Sequence, residues 1–291
     1  MRVGVGLPMK ALPRDELVTF ARKVEDGPFD SISLGQRLTF ESNDPMIALT
    51  FVAAITERIR LLTSVLCLPF HKEGVTAQQA ATLDRLSLGR FSFGVGLGGR
   101  PADFAVAPAE WAGRGRRFEE QLLAMKRAWR GEAPFPGTEP VGPSPLTPGG
   151  PELIVGGMAP AALERAGRVA DGIRSFSFST DVRQHLDRLA VTAAAWEQAG
   201  REGRPRLITA THFALGPDAR QSYEEHVQRY YGYSAELMAE ALSGDAPTSP
   251  DAIRATIRRF ADAGVDELVF TATTSDTMDS LDRLAQAVAG A

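Results

Sequence analysis

The sequence predicts an α/β fold: a (β/α)8 TIM barrel with loop insertions at the C-terminal face, in one domain over residues 1–291. Three observations predict it. Eight short apolar segments of strand type recur along the chain, each followed by at least one segment of helical periodicity. Such alternation gives parallel strands joined by crossover helices. The 291 residues suit one barrel, which takes about 250, plus an insertion. Linker-like composition occurs only at 131–151 and 243–248, and neither stretch separates two self-sufficient halves.

The elements follow in order. Val3–Leu7 is the first strand, and Arg14–Glu25 is a helix with Leu17, Phe20, Ala21 and Val24 on one face. Ser31–Gly35 is the second strand. Asp44 and Pro45 supply an N-cap and a first-turn proline for a helix running to Thr56. Ile59–Leu66 is a β-branched, apolar third strand. A helix over Gly74–Ser87 leads through Ser87-Leu88-Gly89 into the fourth strand, Phe91–Gly96. The segment from Gly99 to Gly113 is a long loop. Arg114–Trp129 is a helix with Phe118, Leu122, Met125 and Trp129 at helical spacing. Gly131–Pro151 is dense in proline and glycine and predicts a loop. Leu153–Val155 is the fifth strand, with a helix over Pro160–Val169. Gly172–Ser175 is a short sixth strand, and the helix after it, Thr180–Ala199, closes at Gly200. Arg206–Ala214 is the seventh strand. Ala219–Leu242 is helical with a break near Gly232. Ser249 and Pro250 open a helix that ends at Gly264. Glu267–Thr271 is the eighth strand, and Thr277–Ala289 is the last helix, with Met278, Leu281, Leu284 and Val288 on one face.

The apolar fraction of 44% is ample for a core. A formal net charge of −4 argues against a general nucleic-acid binder. No apolar run approaches the roughly 20 residues of a membrane span, and no signal-peptide pattern opens the chain. Cys67 is the sole cysteine, which excludes an intramolecular disulfide. The expected setting is the cytoplasm.

Gly94, Gly96 and Gly99 spell G-x-G-x-x-G at the end of the fourth strand. Taken alone this is a dinucleotide-binding fingerprint. That fingerprint requires a helix opening on the glycines and an acid at the end of the next strand. Glu119 has the right count but lies in a helix, and the motif follows the fourth strand rather than the first. In a barrel the same loop lies on the catalytic face, where glycine lets backbone approach a ligand. At the fifth strand, Gly156-Gly157-Met158-Ala159 precedes Pro160 at a helix start. Free amides there suit a phosphate, and a plain βα turn fits the same residues.

Other chemistry is sparse. The four histidines, His71, His185, His212 and His226, form no short metal motif, and no Gly-x-Ser-x-Gly elbow is present. Cys67 lies in an apolar run and suits a small core residue. His212, within the seventh strand, faces either the barrel mouth or a helix. His185 and His226 lie on helices and suit structural roles. Tyr230, Tyr231 and Tyr233 suit either a substrate pocket or simple packing. Arg100, Arg114, Arg116 and Arg117 suit a solvated surface or an anionic ligand tail.

Several segments together resemble the bacterial-luciferase-like monooxygenase superfamily, and its coenzyme F420-dependent oxidoreductase branch in particular. They are Thr56-Glu57-Arg58-Ile59-Arg60-Leu61 with Thr63-Ser64-Val65-Leu66, Ala80–Ser87 with Gly89-Arg90, and Phe93-Gly94-Val95-Gly96. Arg114–Glu120, Ile154-Val155-Gly156-Gly157, Ala170-Asp171-Gly172 and Ala263–Leu268 extend the likeness over nearly the whole chain. The resemblance implies a cofactor of flavin or deazaflavin type at the strand C-terminal ends. It places a non-prolyl cis peptide at Ser64-Val65, behind the cofactor's ring. Gly96 and Gly98 are then expected to approach the cofactor's chain, and Gly156, Gly157 and Met158 to hold its phosphate. The helices containing Met46–Ile55 and Ala77–Leu86 are expected to form a homodimer interface. His71, after the third strand, is a candidate for moving a proton beside the cofactor; an exposed loop histidine is the competing expectation. The likeness departs at Ser33-Leu34-Gly35-Gln36-Arg37-Leu38, where many relatives carry an acid. Gln36 occupies that catalytic position but cannot act as a carboxylate base.

The function implied is hydride transfer between F420 and a small organic substrate. The alternatives are an FMN-dependent monooxygenase, supplied with reduced flavin by a separate reductase, and a cofactor-binding barrel without catalysis, which the departure at Gln36 prompts. The substrate pocket is expected in the loops around 37–44, 99–113 and 229–248.

Overall fold

The apolar alternation resolves into a closed barrel. A computed structural model describes residues 1–274 and 276–291. Its strands are β1 (Arg2–Gly6), β2 (Ser31–Leu34), β3 (Arg60–Thr63), β4 (Leu66–Cys67), β5 (Phe91–Gly96), β6 (Glu152–Gly156), β7 (Gly172–Phe176), β8 (Arg206–Phe213) and β9 (Glu267–Ala272). The order is β3-β2-β1-β9-β8-β7-β6-β5-β4, and a β3–β5 pairing closes the ring. Every pairing is parallel. β3 and β4 are two pieces of one barrel strand, so the barrel has eight staves.

The helices are α1 (Arg14–Asp26), α2 (Pro45–Ala53), α3 (Glu73–Leu86), α4 (Pro101–Val106), α5 (Arg114–Trp129), α6 (Pro160–Val169), α7 (Arg183–Gln198), α8 (Ala219–Tyr231), α9 (Ala235–Ser243), α10 (Pro250–Asp262) and α11 (Thr277–Ala289). Asp44 caps α2 as its residue type suggests, accepting from the Ile47 N–H. Leu17, Phe20 and Val24 of α1, with Leu122 and Met125 of α5, are buried in the layer between helices and sheet. Burying such side chains contributes about 1.5–3 kcal/mol each. Inside the barrel, Leu62, Ile154, Ile208, Ala210 and Val269 form a separate apolar plug.

Two expectations need correction. The third strand is not continuous over Ile59–Leu66: it breaks between β3 and β4, where the Ser64-Val65 peptide is cis. The segment from Gly99 to Gly113 is not all loop, because it folds the short helix α4. Six residues with Pro101 at the first position are too few to show a helical period.

The N-terminal end of the barrel is shut by charge. Arg60 donates to Ser92 Oγ at 2.7 Å, and Ser92 Oγ to Glu152 Oε2 at 2.6 Å. Arg206 bridges Glu152 at 2.6 Å and also Glu267, which accepts from Ser31. A concavity at this end is lined by Arg2, Arg60, Glu152, Arg206 and Asp266. Most of these charges are spent on one another, so the open site lies at the opposite, C-terminal end.

Candidate active site

A cavity of about 480 Å³ opens at the C-terminal ends of the strands. Its lining brings together all seven expected cofactor-binding residues: Ser64, Val65, Gly96, Gly98, Gly156, Gly157 and Met158. Backbone room explains the glycines. A Cβ on Gly94 would collide with the Thr63 carbonyl, and one on Gly35 would stand 2.8 Å from the Ser64 carbonyl oxygen. A Cβ on Gly96 or Gly156 would stand 2.7 Å from a Val65 methyl. Real Cβ atoms do not approach so closely. These glycines therefore admit the β3–β4 break and let Val65 project between β5 and β6.

The start of α6 completes a cradle. Pro160 occupies its first turn and no side chain caps it. Its free amides, with Gly156 and Gly157 before them, match the chemistry of a phosphate site. Val65, Leu97 and Met9 supply apolar surface beside it. The donor set and the glycine-lined groove together fit a flat ring carrying a phosphorylated chain.

The two candidate catalytic residues stand off this lining. Gln36 Oε1 accepts the Cys67 N–H at 3.1 Å and meets His71 Nε2 at 3.0 Å. The Gln36 N–H donates to the Val65 carbonyl at 3.0 Å. Gln121 donates to the His71 carbonyl at 2.6 Å. The pair thus grips the Ser64–Cys67 segment from one side. Burial pushes the His71 pKa down, against an opposing pull from Asp44. Cys67 is buried, and desolvation with Asp103 nearby pushes its thiol up to about 12, so it stays protonated.

The outer wall comes from β7, β8 and the α8–α9 arm. Phe176, Phe178, His212, Tyr230, Tyr231, Tyr233 and Leu237 line it, so the tyrosines face the cavity and His212 points into the mouth. His212 Nε2 and the Tyr231 hydroxyl are 2.8 Å apart. Burial, then His226 and Arg174, push the His212 pKa well below its ordinary value. Burial also holds the Tyr231 phenol well above its usual range, with Arg174 opposing. Both groups are neutral at pH 7. His226 stacks on Tyr230, with ring centres 5.5 Å apart.

The loops around the mouth are braced by ion pairs and rings. Arg37 reaches Asp103 of α4 at 3.1 Å, and Thr39 N–H donates to the same carboxyl at 2.7 Å. Burial of Asp103 opposes its ionisation, but the Thr39 bonds and Arg37 outweigh it and hold its pKa low. Arg100 donates to the Tyr230 carbonyl at 2.8 Å and lies over the rings of Tyr230 and Tyr233. Of the three loops expected to build the pocket, those around 99–113 and 229–248 contribute lining residues; that at 37–44 only supports them.

Arg174 escaped the sequence reading. It lines the cavity from β7, and its Nε donates to Ser64 Oγ at 2.9 Å. A charged residue inside the short apolar run Gly172–Phe176 was the available signal. Among the described residues, no three His, Cys, Asp or Glu side chains form a metal-holding group, and no helix is long and apolar enough to cross a membrane.

Known proteins resemble this chain in sequence and in fold. The family description "Luciferase-like monooxygenase" matches residues 1–290. An uncharacterized protein of Mycobacterium tuberculosis is 32% identical over 176 residues, which are 57% of this chain and 60% of that relative. The chain thus matches somewhat over half the length of that relative. An F420-dependent glucose-6-phosphate dehydrogenase of Nakamurella multipartita is 28% identical over 94% of this chain and 91% of its own. In fold, the oxygenating constituent of 3,6-diketocamphane monooxygenase from Pseudomonas putida, solved with FMN, superposes with a TM-score of 0.72. It is 17% identical, over 98% of this chain and 96% of that one.

Proposed function

The chain belongs to the luciferase-like monooxygenase family, and on that premise we propose that it is an oxidoreductase using a deazaflavin or flavin, with coenzyme F420 as the preferred cofactor. Its reaction is hydride transfer to or from a small organic substrate. One observation carries the reading: the seven glycine-loop and strand-break residues line a single cavity that ends at an uncapped helix start. The full-length likeness to an F420-dependent dehydrogenase favours the deazaflavin.

Val65 and Leu97 would face the cofactor's ring, and Gly156, Gly157 and Met158 its phosphate. The bound cofactor supplies the hydride donor or acceptor. The protein's own part is placement and exclusion of water. Gln36 and His71 hold the Ser64–Cys67 segment in register, which makes them positioning residues in this reading. Tyr231, kept protonated by burial and held by His212, presents a hydroxyl hydrogen-bonding group to the cavity. A cytoplasmic homodimer belongs to the same proposal. Its interface would use α2 and α3, where Ile47 is 74% and Leu86 62% exposed.

The test is turnover with reduced cofactor. Anaerobic oxidation of reduced F420 by a panel of small carbonyl compounds is the expected result. Substrate-dependent oxygen uptake with reduced FMN, delivered by a separate reductase, and none with F420 would establish the monooxygenase reading instead. Binding without turnover of either would leave a non-catalytic barrel.

A further inference from the structure

Arg174 is a charged group of the cavity wall whose partners do not account for it. It sits on β7, in register with Gly156 of β6 and Ile208 of β8. Its Nε is used on Ser64 Oγ, and its guanidinium carbon lies 5.4 Å from the Phe176 ring centre. Among the described residues, no carboxylate comes within 4.0 Å of it, and no protein acceptor meets its two Nη nitrogens. Other recessed arginines differ. Arg37, Arg60, Arg165 and Arg206 each reach a carboxylate. Arg90 is spent on backbone carbonyls, and Arg100 on the Tyr230 carbonyl between two tyrosine rings. Glu240, also on the cavity lining, does not pair with Arg174.

Arg174 is half-buried, and its two Nη nitrogens open on the cavity, where a counter-charge could reach them. Desolvation depresses the basicity of Arg174, and only Tyr231 and Tyr230 oppose this. The charge is therefore best explained by an anion that arrives from outside. The planar fork of an arginine matches a carboxylate in two-point fashion. The phosphate of a cofactor already has the Gly156–Ala159 turn and the start of α6 to receive it. Near Arg174 stand Phe176, Tyr231, Tyr230 and the neutral His212, and Phe178 and Leu237 line the same cavity.

We propose that Arg174 binds the carboxylate of the substrate, and that the substrate class is a small organic acid with a largely apolar or aromatic body. This rests on the reading of the cavity as a cofactor site, and it deepens that reading by naming what lies beside the cofactor. Ser64, bonded to Nε, fixes the fork and leaves both Nη nitrogens for the ligand.

Calorimetric titration tests it, with benzoate, the neutral isostere benzamide and inorganic phosphate as probes. They are titrated near neutral pH into the protein loaded with whichever of F420 or FMN it takes up, and into the protein without cofactor. Benzoate is expected to bind about tenfold or more tighter than benzamide, the difference one charge-assisted two-point contact supplies. Arg174→Met should abolish that preference and leave benzamide and cofactor affinities within about threefold of wild type. Arg174→Lys, which keeps the charge and the packing stem, should retain part of it. Three outcomes overturn the proposal: no benzoate preference in the wild-type protein, phosphate binding that Arg174→Met weakens more than it weakens benzoate, or a loss of cofactor affinity in Arg174→Met that exceeds the loss for benzoate. Failure to take up any cofactor refutes the proposed function alone, because the probe comparison without cofactor still decides the role of Arg174.

Discussion

Gly94 has no room for a methyl group, because its Cβ would run into the Thr63 carbonyl, whereas nothing lies within 4 Å of a Cβ on Gly99. The two are the first and last glycines of one G-x-G-x-x-G string, yet physics separates them. Gly94→Ala is expected to cost about 1–3 kcal/mol through overpacking, and Gly99→Ala about 0.5 kcal/mol or less. Thermal unfolding of the two variants checks this; equal losses would return the string to a single ligand-binding loop. The string was visible in the sequence, but its meaning depended on the β3–β4 break, which the family likeness marks at Ser64-Val65 and no strand period shows. The same holds for the polar residues that carry the family likeness. Asp171 Oδ2 accepts the Leu153 N–H at 2.8 Å, and Asp266 Oδ2 accepts the Leu207 N–H at 2.8 Å. Arg90 serves the carbonyls of Ala53, Thr56 and Ile59 beyond the end of α2. These residues secure strand starts and helix ends, so they identify the family without touching its chemistry. Arg174 shows the converse: a residue outside those segments brings a positive charge without an ion-pair partner to the wall.

The α8–α9 arm forms the outer wall and packs on its own small core of Phe178, Ala214, Tyr223, Val227, Tyr231 and Ala241. Tyr223 ties the two helices, its hydroxyl donating to the Ala241 carbonyl at 2.8 Å. His226 of α8 is pushed down to about 4, chiefly by burial and then by Arg229, and His212 beneath it lies well below 6.5. Both are neutral when the arm is docked. In a detached arm they regain an ordinary imidazole pKa near 6.5. Docking is therefore at full strength above about pH 6.5 and weakens as pH falls toward about 4, because the detached state then binds more protons. Each group contributes a slope of up to about 1.4 kcal/mol per pH unit in that window. Amide hydrogen exchange over 219–243 should accelerate selectively between pH 7 and pH 5, after correction for intrinsic rates. A uniform change over the whole barrel would contradict this, as would none. The break near Gly232 was legible because glycine interrupts a helical pattern. The burial of His226 was not, since a histidine on a polar helix gives no sign of what covers it.

The whole molecule divides its polar groups between two ends. At the N-terminal end, Arg60, Arg206, Glu152 and Glu267 neutralise one another across the barrel. At the C-terminal end, glycines, an uncapped helix and an unpaired arginine leave backbone and charge available to ligands. The eight-stave architecture was readable from alternation alone, because each strand and helix carries its own period. The composition of the mouth was readable only where glycine spacing marked it. The side chains that the proposed function assigns to substrate choice lie on β7, β8 and the α8–α9 arm, and strand or helix periods carry no information about a ligand. The central claim is that the mouth cavity is a cofactor site. Equilibrium titration of F420 and FMN into the wild-type protein and into Gly157→Val tests it most directly, since a Cβ at Gly157 already meets Ala162 at 2.7 Å and crowds the start of α6. The account predicts about one F420 bound per chain with a Kd on the order of micromolar, weaker FMN binding, and a loss of about tenfold or more in the folded variant. Binding of neither cofactor, or binding that Gly157→Val leaves unchanged, would contradict it.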